Sequence, residues 1–244
     1  MLTKFELKDI QSLYHKKQRD EQKLFIAEGP KLAEELIAGG IEIKQVFALT
    51  SWIKENPHLS LHVKEISEVE LNRMSQLQTP NEVLVIAKQQ APAEEPEFED
   101  RLTLVLDGIQ DPGNMGTIIR IADWFGIKQM ICSNDCVDRY NAKVVQSTMG
   151  SIVRTQCWYK DFKLWTLPAG IPVFGALLNG RDVYKVSKPK EGILVIGNES
   201  KGIRQPLLSS IDVPLTIPKI GGAESLNAAV ATGIIVGCLV NNVT

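Results

Sequence analysis

Two rhythms of apolar positions run through the chain. Apolar residues at 5, 7, 10, 13 and 14 keep the three-and-four spacing of a helix and predict one over 5–14. Pro30 opens a second helix with Leu32, Ala33, Leu36 and Ile37 on one face, and Gly39 and Gly40 close it. Residues 43–49 and 83–87 read as strands, with a helix over 69–74 between them. The first part is therefore a small α/β domain with no evident catalytic cluster.

From residue 102 onward a strand-then-helix alternation takes over. Residues 102–106 form a nearly continuous apolar run, as expected of a strand buried on both faces. A helix follows through Ile118, Ile119, Ala122 and Phe125 and is closed by Gly126. Further strands are predicted over 129–132, 172–176, 193–196 and 213–217, with helices over 142–149 and 225–240. Such alternation belongs to the α/β class, with a parallel sheet carrying helices on both faces. Between the two parts, residues 89–100 (QQAPAEEPEFED) are rich in acids and stiffened by two prolines, which marks a linker. The expected organisation is a domain over 1–88, a linker over 89–100 and a domain over 101–244.

Composition adds little except through charge. Hydrophobic residues at 44% and charged residues at 23% are ordinary for a globular protein and exclude wholesale disorder. The most apolar stretch is the last helix, which runs into Asn241, Asn242 and Thr244, so no membrane span is expected. The first ten residues are polar and of mixed charge, unlike a signal peptide, which points to the cytoplasm. The net charge of −2 conceals an asymmetry. Residues 1–100 carry 12 Lys+Arg against 18 Asp+Glu, whereas residues 101–244 carry 15 against 11. A basic surface for phosphate is thus expected in the second part. In the first part Lys16, Lys17, Arg19 and Lys31, with Lys23 nearby, could form a local patch or simply a solvated face. Cys132 and Cys136 lack further ligands nearby and read as buried thiols, so no metal is expected. His58 and His62 read as surface or strand residues.

In open parallel sheets, ligands settle beyond the carboxyl ends of the strands. Three loops at such ends have compositions that plain turns do not need. The first reads Asp-Gly-Ile-Gln-Asp-Pro-Gly-Asn-Met-Gly over 107–116 and leads into the helix that carries Arg120. Its glycines permit tight turns, and Asn114 offers both donors and an acceptor. A simple turn with Arg120 on a solvated face explains the glycines but not the whole string. No G-x-G-x-x-G is present, which argues against a nicotinamide oxidoreductase. The second loop, Gly-Asn-Glu-Ser-Lys-Gly over 197–202, is not a P-loop, and an acidic turn is its ordinary reading. The third reads Ile-Pro-Lys-Ile-Gly-Gly-Ala-Glu-Ser-Leu-Asn over 217–227. Ser225 suits the N-cap of the last helix, whereas Asn227 is an odd polar residue to open an apolar one.

In order, D-P-x-N-x-G-x-x-x-R at 111–120, G-x-E-x-x-G at 197–202 and I-P onward to S-L-N at 217–227 resemble the three motifs of the SpoU (TrmH) family of RNA 2′-O-methyltransferases, within the SPOUT superfamily. Phe25, Ile26, Ala27, Glu28 and Gly29, with the later Gln78, Thr79 and Pro80, are similar to the substrate-binding domain often fused to it. The resemblance implies a parallel α/β sheet with a C-terminal trefoil knot, joined to the small N-terminal α/β domain. It implies S-adenosylmethionine as cofactor, with Gly197, Gly202, Ile217, Pro218 and Leu226 in contact with it. It implies a catalytic set of Arg120, Asn114, Glu199, Ser225 and Asn227. Arg120, permanently protonated, would hold a phosphate and stabilise charge developing on the attacking oxygen. Asn114 would orient Arg120 or the ribose, and Glu199, Ser225 and Asn227 would brace the site. The implied substrate is RNA, ribosomal ahead of transfer RNA, and the implied assembly is a homodimer with each site near the interface. A noncatalytic RNA-binding factor for ribosome assembly, on the same fold, is the alternative.

Overall fold

The computed structural model describes residues 2–57, 59, 63–92 and 95–240, which fall into two compact units. In chain order the elements are α1 (Lys4–Ser12), α2 (Lys16–Gln22), β1 (Leu24–Glu28), α3 (Pro30–Ala38), β2 (Ile43–Ala48), α4 (Thr50–Glu55), β3 (Val63–Glu65), α5 (Glu68–Met74) and β4 (Val83–Lys88). They continue as β5 (Leu102–Asp107), α6 (Pro112–Trp124), β6 (Gln129–Ser133), α7 (Ala142–Thr148), β7 (Gln156–Lys160), β8 (Val173–Asp182), β9 (Gly192–Gly197), α8 (Gln205–Leu208), β10 (Val213–Thr216) and α9 (Ala228–Leu239). His58 and His62 lie outside the described residues, as does the polar end of the chain from 241.

The first unit is Met1–Ala91 with Asp138–Val153. Its sheet has the order β1-β4-β2-β3, antiparallel except for the parallel pair β2 and β3. Phe25, Ala27, Val83, Val85, Val46 and Ala48 face one core, which also holds Leu32 and Leu36 of α3 and Val145 of α7. The alternate residues Ile26, Leu84, Ile86 and Phe47 face a second core with Ile10 of α1 and Leu71 and Met74 of α5. Successive strand side chains point to opposite faces, so a sheet covered on both sides gives unbroken apolar runs. Capping boxes, Thr3 with Glu6 and Ser67 with Glu70, start α1 and α5.

The second unit, Pro92–Val137 with Arg154–Thr244, holds a six-stranded sheet of order β10-β8-β9-β5-β6-β7. Every pair in it is parallel. The strand order reverses at β5, with β6 and β7 on one side and β9, β8 and β10 on the other. That reversal is where the loops after two neighbouring strands diverge and leave a crevice. The register of Asp107 against Gly197 sets the ends of β5 and β9 level. After β5 the chain enters α6 directly, because Asp111 caps it by accepting the Asn114 N–H at 2.8 Å and Pro112 takes the first turn. Asn114 and Gly116 are therefore helical residues and not part of a loop. Helix α9 packs on α6 and on β9, its Gly233 facing Ile121 and its Gly237 facing Phe125.

Several expectations need correction. Helix α7 was expected beside the second sheet, yet Asp138–Val153 packs within the first unit, where Tyr140, Val145 and Ile152 join the core of β1. Strand β7 was not expected, because Gln-Cys-Trp-Tyr-Lys shows no strong alternation. The N-cap of the last helix is Asn227, whose Oδ1 accepts the Ala229 and Val230 N–H groups, and not Ser225. Arg19 is withdrawn from any surface patch. It is 3% exposed, paired with Asp138 at 2.6 Å, and donates to the carbonyls of Leu13 and Tyr14. Lys16 and Lys17 pair along α2 with Asp20 and Glu21, which leaves the ordinary solvated face.

Candidate active site at the ends of β5 and β9

The crevice is built by folding the chain after β9 back on itself. Asn198 and Gly202 exchange backbone hydrogen bonds, Asn198 N–H to Gly202 O at 3.1 Å and the reverse at 2.8 Å. Gly197 meets the returning strand so closely that a Cβ there would lie 2.3 Å from the Gly202 carbonyl carbon. Gly202 closes the turn at φ +66°, a left-handed conformation that favours glycine. The Asn198 side chain holds the loop from within, accepting the N–H groups of Ser200 and Lys201 at 3.0 and 3.1 Å. Its Nδ2 donates to the carbonyl of Gly108 at 2.8 Å, which ties this loop to the one after β5.

The three motif regions meet through a directional relay of hydrogen bonds. Asn114 Nδ2 donates to Glu199 Oε1. Asn227 Nδ2 donates at 2.7 Å to Asn114 Oδ1, while Asn227 Oδ1 caps α9. An ionised carboxylate only accepts, so Glu199 dictates which way the Asn114 amide faces. The Asn114 carbonyl then demands a donor, and Asn227 supplies it. Helix α9, α6 and the loop after β9 are thereby locked in one register.

Beside this relay lies a cavity of about 820 Å³. That is within the size range of small-molecule sites. Glu199 and Ser225 border it, as do all five residues expected to hold a cofactor: Gly197, Gly202, Ile217, Pro218 and Leu226. Gly197 and Gly202 owe their identity to the turn they build. Asn114 and Asn227 stand behind the cavity rather than on its wall. Arg120 is exposed on α6, away from that wall, and among the described residues it has no hydrogen-bond or ion-pair partner. Its guanidinium is thus open to an external anion.

The sequence gave no sign of a second tie between the loops. Asp107, 1% exposed at the end of β5, accepts the backbone N–H and the Nε of Arg204, both at 2.7 Å. Arg204 also reaches Asp135 after β6, Nη1 at 3.0 Å and Nη2 at 2.9 Å. The Asp107 and Asp135 carboxylates raise the Arg204 pKa. An acid closing an apolar strand was the available signal, but nothing in the sequence pairs positions 107 and 204. Among the described residues no three of His, Cys, Asp and Glu converge to hold a metal ion, and Cys132, Cys136 and Cys157 are buried.

Fold and site together define an α/β protein with its ligand crevice at the switch point of a parallel sheet. Residues 101–237 match the SpoU rRNA Methylase family, and residues 4–85 match the MRM3-like substrate binding domain. The chain belongs to the SpoU rRNA Methylase family. It is 30% identical over 236 residues to a Bacillus subtilis (strain 168) protein named 23S rRNA (guanosine(2553)-2′-O)-methyltransferase RlmP, covering 95% of this chain and 94% of that one. An RNA methyltransferase of the TrmH family from Porphyromonas gingivalis has a TM-score of 0.84 and 34% identity, with 98% of each chain covered. An AdoMet-bound rRNA methyltransferase from Sinorhizobium meliloti has a TM-score of 0.84 and 31% identity, covering 98% of this chain and 95% of that one.

Proposed function

We infer that this protein transfers a methyl group from S-adenosylmethionine to a ribose 2′-hydroxyl of ribosomal RNA. The observation that carries the reading is the Glu199, Asn114 and Asn227 relay, which joins the three motif regions beside one cavity. The cavity suits the cofactor in size and chemistry. Leu178, Ile217 and Leu226 offer apolar wall for an adenine ring, and Glu199 with Lys201 and Lys219 offer both charge signs for an amino-acid end. S-adenosylmethionine supplies a methyl on a sulfonium, which is already a good electrophile.

The protein must then align the hydroxyl and ease the loss of its proton. Arg120 holds a phosphate next to the target ribose and stabilises charge developing on the 2′-oxygen. Its exposure and its lack of a protein partner support that role. Asn114, fixed by Glu199 and Asn227, sets the wall against which ribose and Arg120 are oriented. Ser225, released from any capping role, faces the cavity and braces its mouth. The segment after β10 is read as the trefoil knot, and the return of α9 to pack on β9 and α6 supports this. The enzyme is read as a cytoplasmic homodimer. Trp124 on α6, 83% exposed, and Val230 on α9, 50% exposed, support a subunit contact there. Among the described residues no helix is long and apolar enough to cross a membrane.

Transfer of labelled methyl from S-adenosylmethionine to purified RNA tests the reading. Labelling of ribosomal RNA and not of transfer RNA is expected, with Arg120→Ala lowering the rate by about a hundredfold. Labelling of transfer RNA alone would reassign the substrate. An Arg120→Ala variant as fast as the wild type would remove Arg120 from the reaction.

A further inference from the structure

The loop that carries Glu199 is pinned at both of its bases. Asn198 fixes the first through the Gly108 carbonyl at 2.8 Å. Arg204 fixes the second, with its backbone N–H and Nε on Asp107 at 2.7 Å each and its Nη1 and Nη2 on Asp135 at 3.0 and 2.9 Å. Asp135 is itself held, since Ser133 Oγ donates to it at 2.6 Å and accepts the Gly108 N–H at 2.8 Å. The guanidinium therefore closes a ring through the loops after β5, β6 and β9. A planar fork with fixed donor directions sets an orientation, which a flexible ammonium cannot do. Simple neutralisation of buried Asp107 would not need the second carboxylate, which is 46% exposed.

We propose that Arg204, held by Asp107 and Asp135, is a positioning residue for methyl transfer. It acts through Glu199, by fixing the loop on which Glu199 meets Asn114 and borders the cofactor cavity. This rests on the methyltransferase reading above. Without the fork the loop keeps its Asn198 pin but can tilt, and the Glu199 carboxylate leaves Asn114. The cavity wall from 198 to 203 moves with it.

Removing Arg204 alone strands a buried carboxylate and can unfold the unit. The test therefore uses Arg204→Lys, Asp135→Asn and the neutral pair Asp107→Asn with Arg204→Gln, in the full-length protein. Four quantities are measured: thermal midpoint, calorimetric affinity for S-adenosylhomocysteine, affinity for ribosomal RNA, and kcat with KM. The neutral pair is expected to stay folded and bind RNA as the wild type does, while losing about tenfold in S-adenosylhomocysteine affinity and in kcat. Arg204→Lys is expected to restore the midpoint but not the affinity, and Asp135→Asn to show a smaller loss of the same kind. In a Glu199→Gln background the neutral pair is expected to add little, because both changes disturb one contact. Folded variants with wild-type affinity and kcat would overturn the proposal. So would losses that simply add to those of Glu199→Gln. A wild type that binds no S-adenosylhomocysteine would overturn the methyltransferase reading and this inference with it. A wild type that binds it equally with and without the fork overturns only the role of Arg204.

Discussion

Each unit ends a strand with a buried carboxylate and uses it to hold a distant loop, but the two are satisfied in opposite ways. Glu28 closes β1 at 4% exposure, and its partners are neutral: the Ser75 hydroxyl, the Gln76 N–H at 3.2 Å and the Tyr14 hydroxyl at 3.5 Å. Burial pushes its pKa up, against the lowering effect of those donors. Asp107 closes β5 at 1% exposure and faces a guanidinium. A neutral clasp can hold a surface loop. An ion pair that also bridges to a third loop fixes an orientation, and it is found where the ligand crevice forms.

The comparison is sharpest at the arginine. Arg204→Ala is expected to cost about 3 kcal/mol or more in urea unfolding, because Asp107 stays buried without its counter-charge. Next come the glycines beside the two carboxylates. Gly29→Ala is expected to cost about 1–3 kcal/mol from φ +95° alone, since nothing lies within 4 Å of its added Cβ. Gly197→Ala is expected to cost a similar amount through collision with Gly202, but also to abolish calorimetric binding of S-adenosylhomocysteine. Equal loss of binding in both variants would erase the distinction between the units. Asn227→Asp keeps an acceptor for the start of α9 but loses the donor to Asn114. It is expected to keep its thermal midpoint while kcat falls about tenfold.

The smallest effect is a pH dependence. The folded pKa of Glu28 lies above its ordinary 4.5. The fold therefore favours the protonated form, whose stabilising contribution is complete below about pH 4.5 and is lost as pH rises through the folded value. Unfolding of wild type and Glu28→Gln, measured from pH 4 to 8, is expected to show the wild type losing stability relative to the variant. A difference independent of pH would contradict the raised value.

Much of this was legible in the sequence, and for identifiable reasons. Apolar runs such as 102–106 and 193–196 announced strands covered on both faces, and both lie in the middle of the parallel sheet. The three motif regions were legible because each is local. Helix α7 was misplaced because an apolar face does not say which sheet it will cover. Ser225 was read as a cap because cap preference ranks Ser beside Asn, and only the start of α9 at Ala228 decides between them. Arg19 looked like a surface charge until its partner Asp138, 119 positions away, came into contact. The Arg204 fork was hidden for the same reason, since ion pairs over long separations leave no periodic trace.

The central claim is that the crevice at the ends of β5 and β9 serves ribose methylation of ribosomal RNA. A methylated 2′-oxygen cannot attack its neighbouring phosphate, so the modified position resists alkaline cleavage. The decisive measurement is an alkaline cleavage map of ribosomal RNA from cells with the protein, without it, and with the Arg120→Ala form. The expected result is one resistant position that becomes cleavable in the second and third samples. Identical maps in all three would contradict the account.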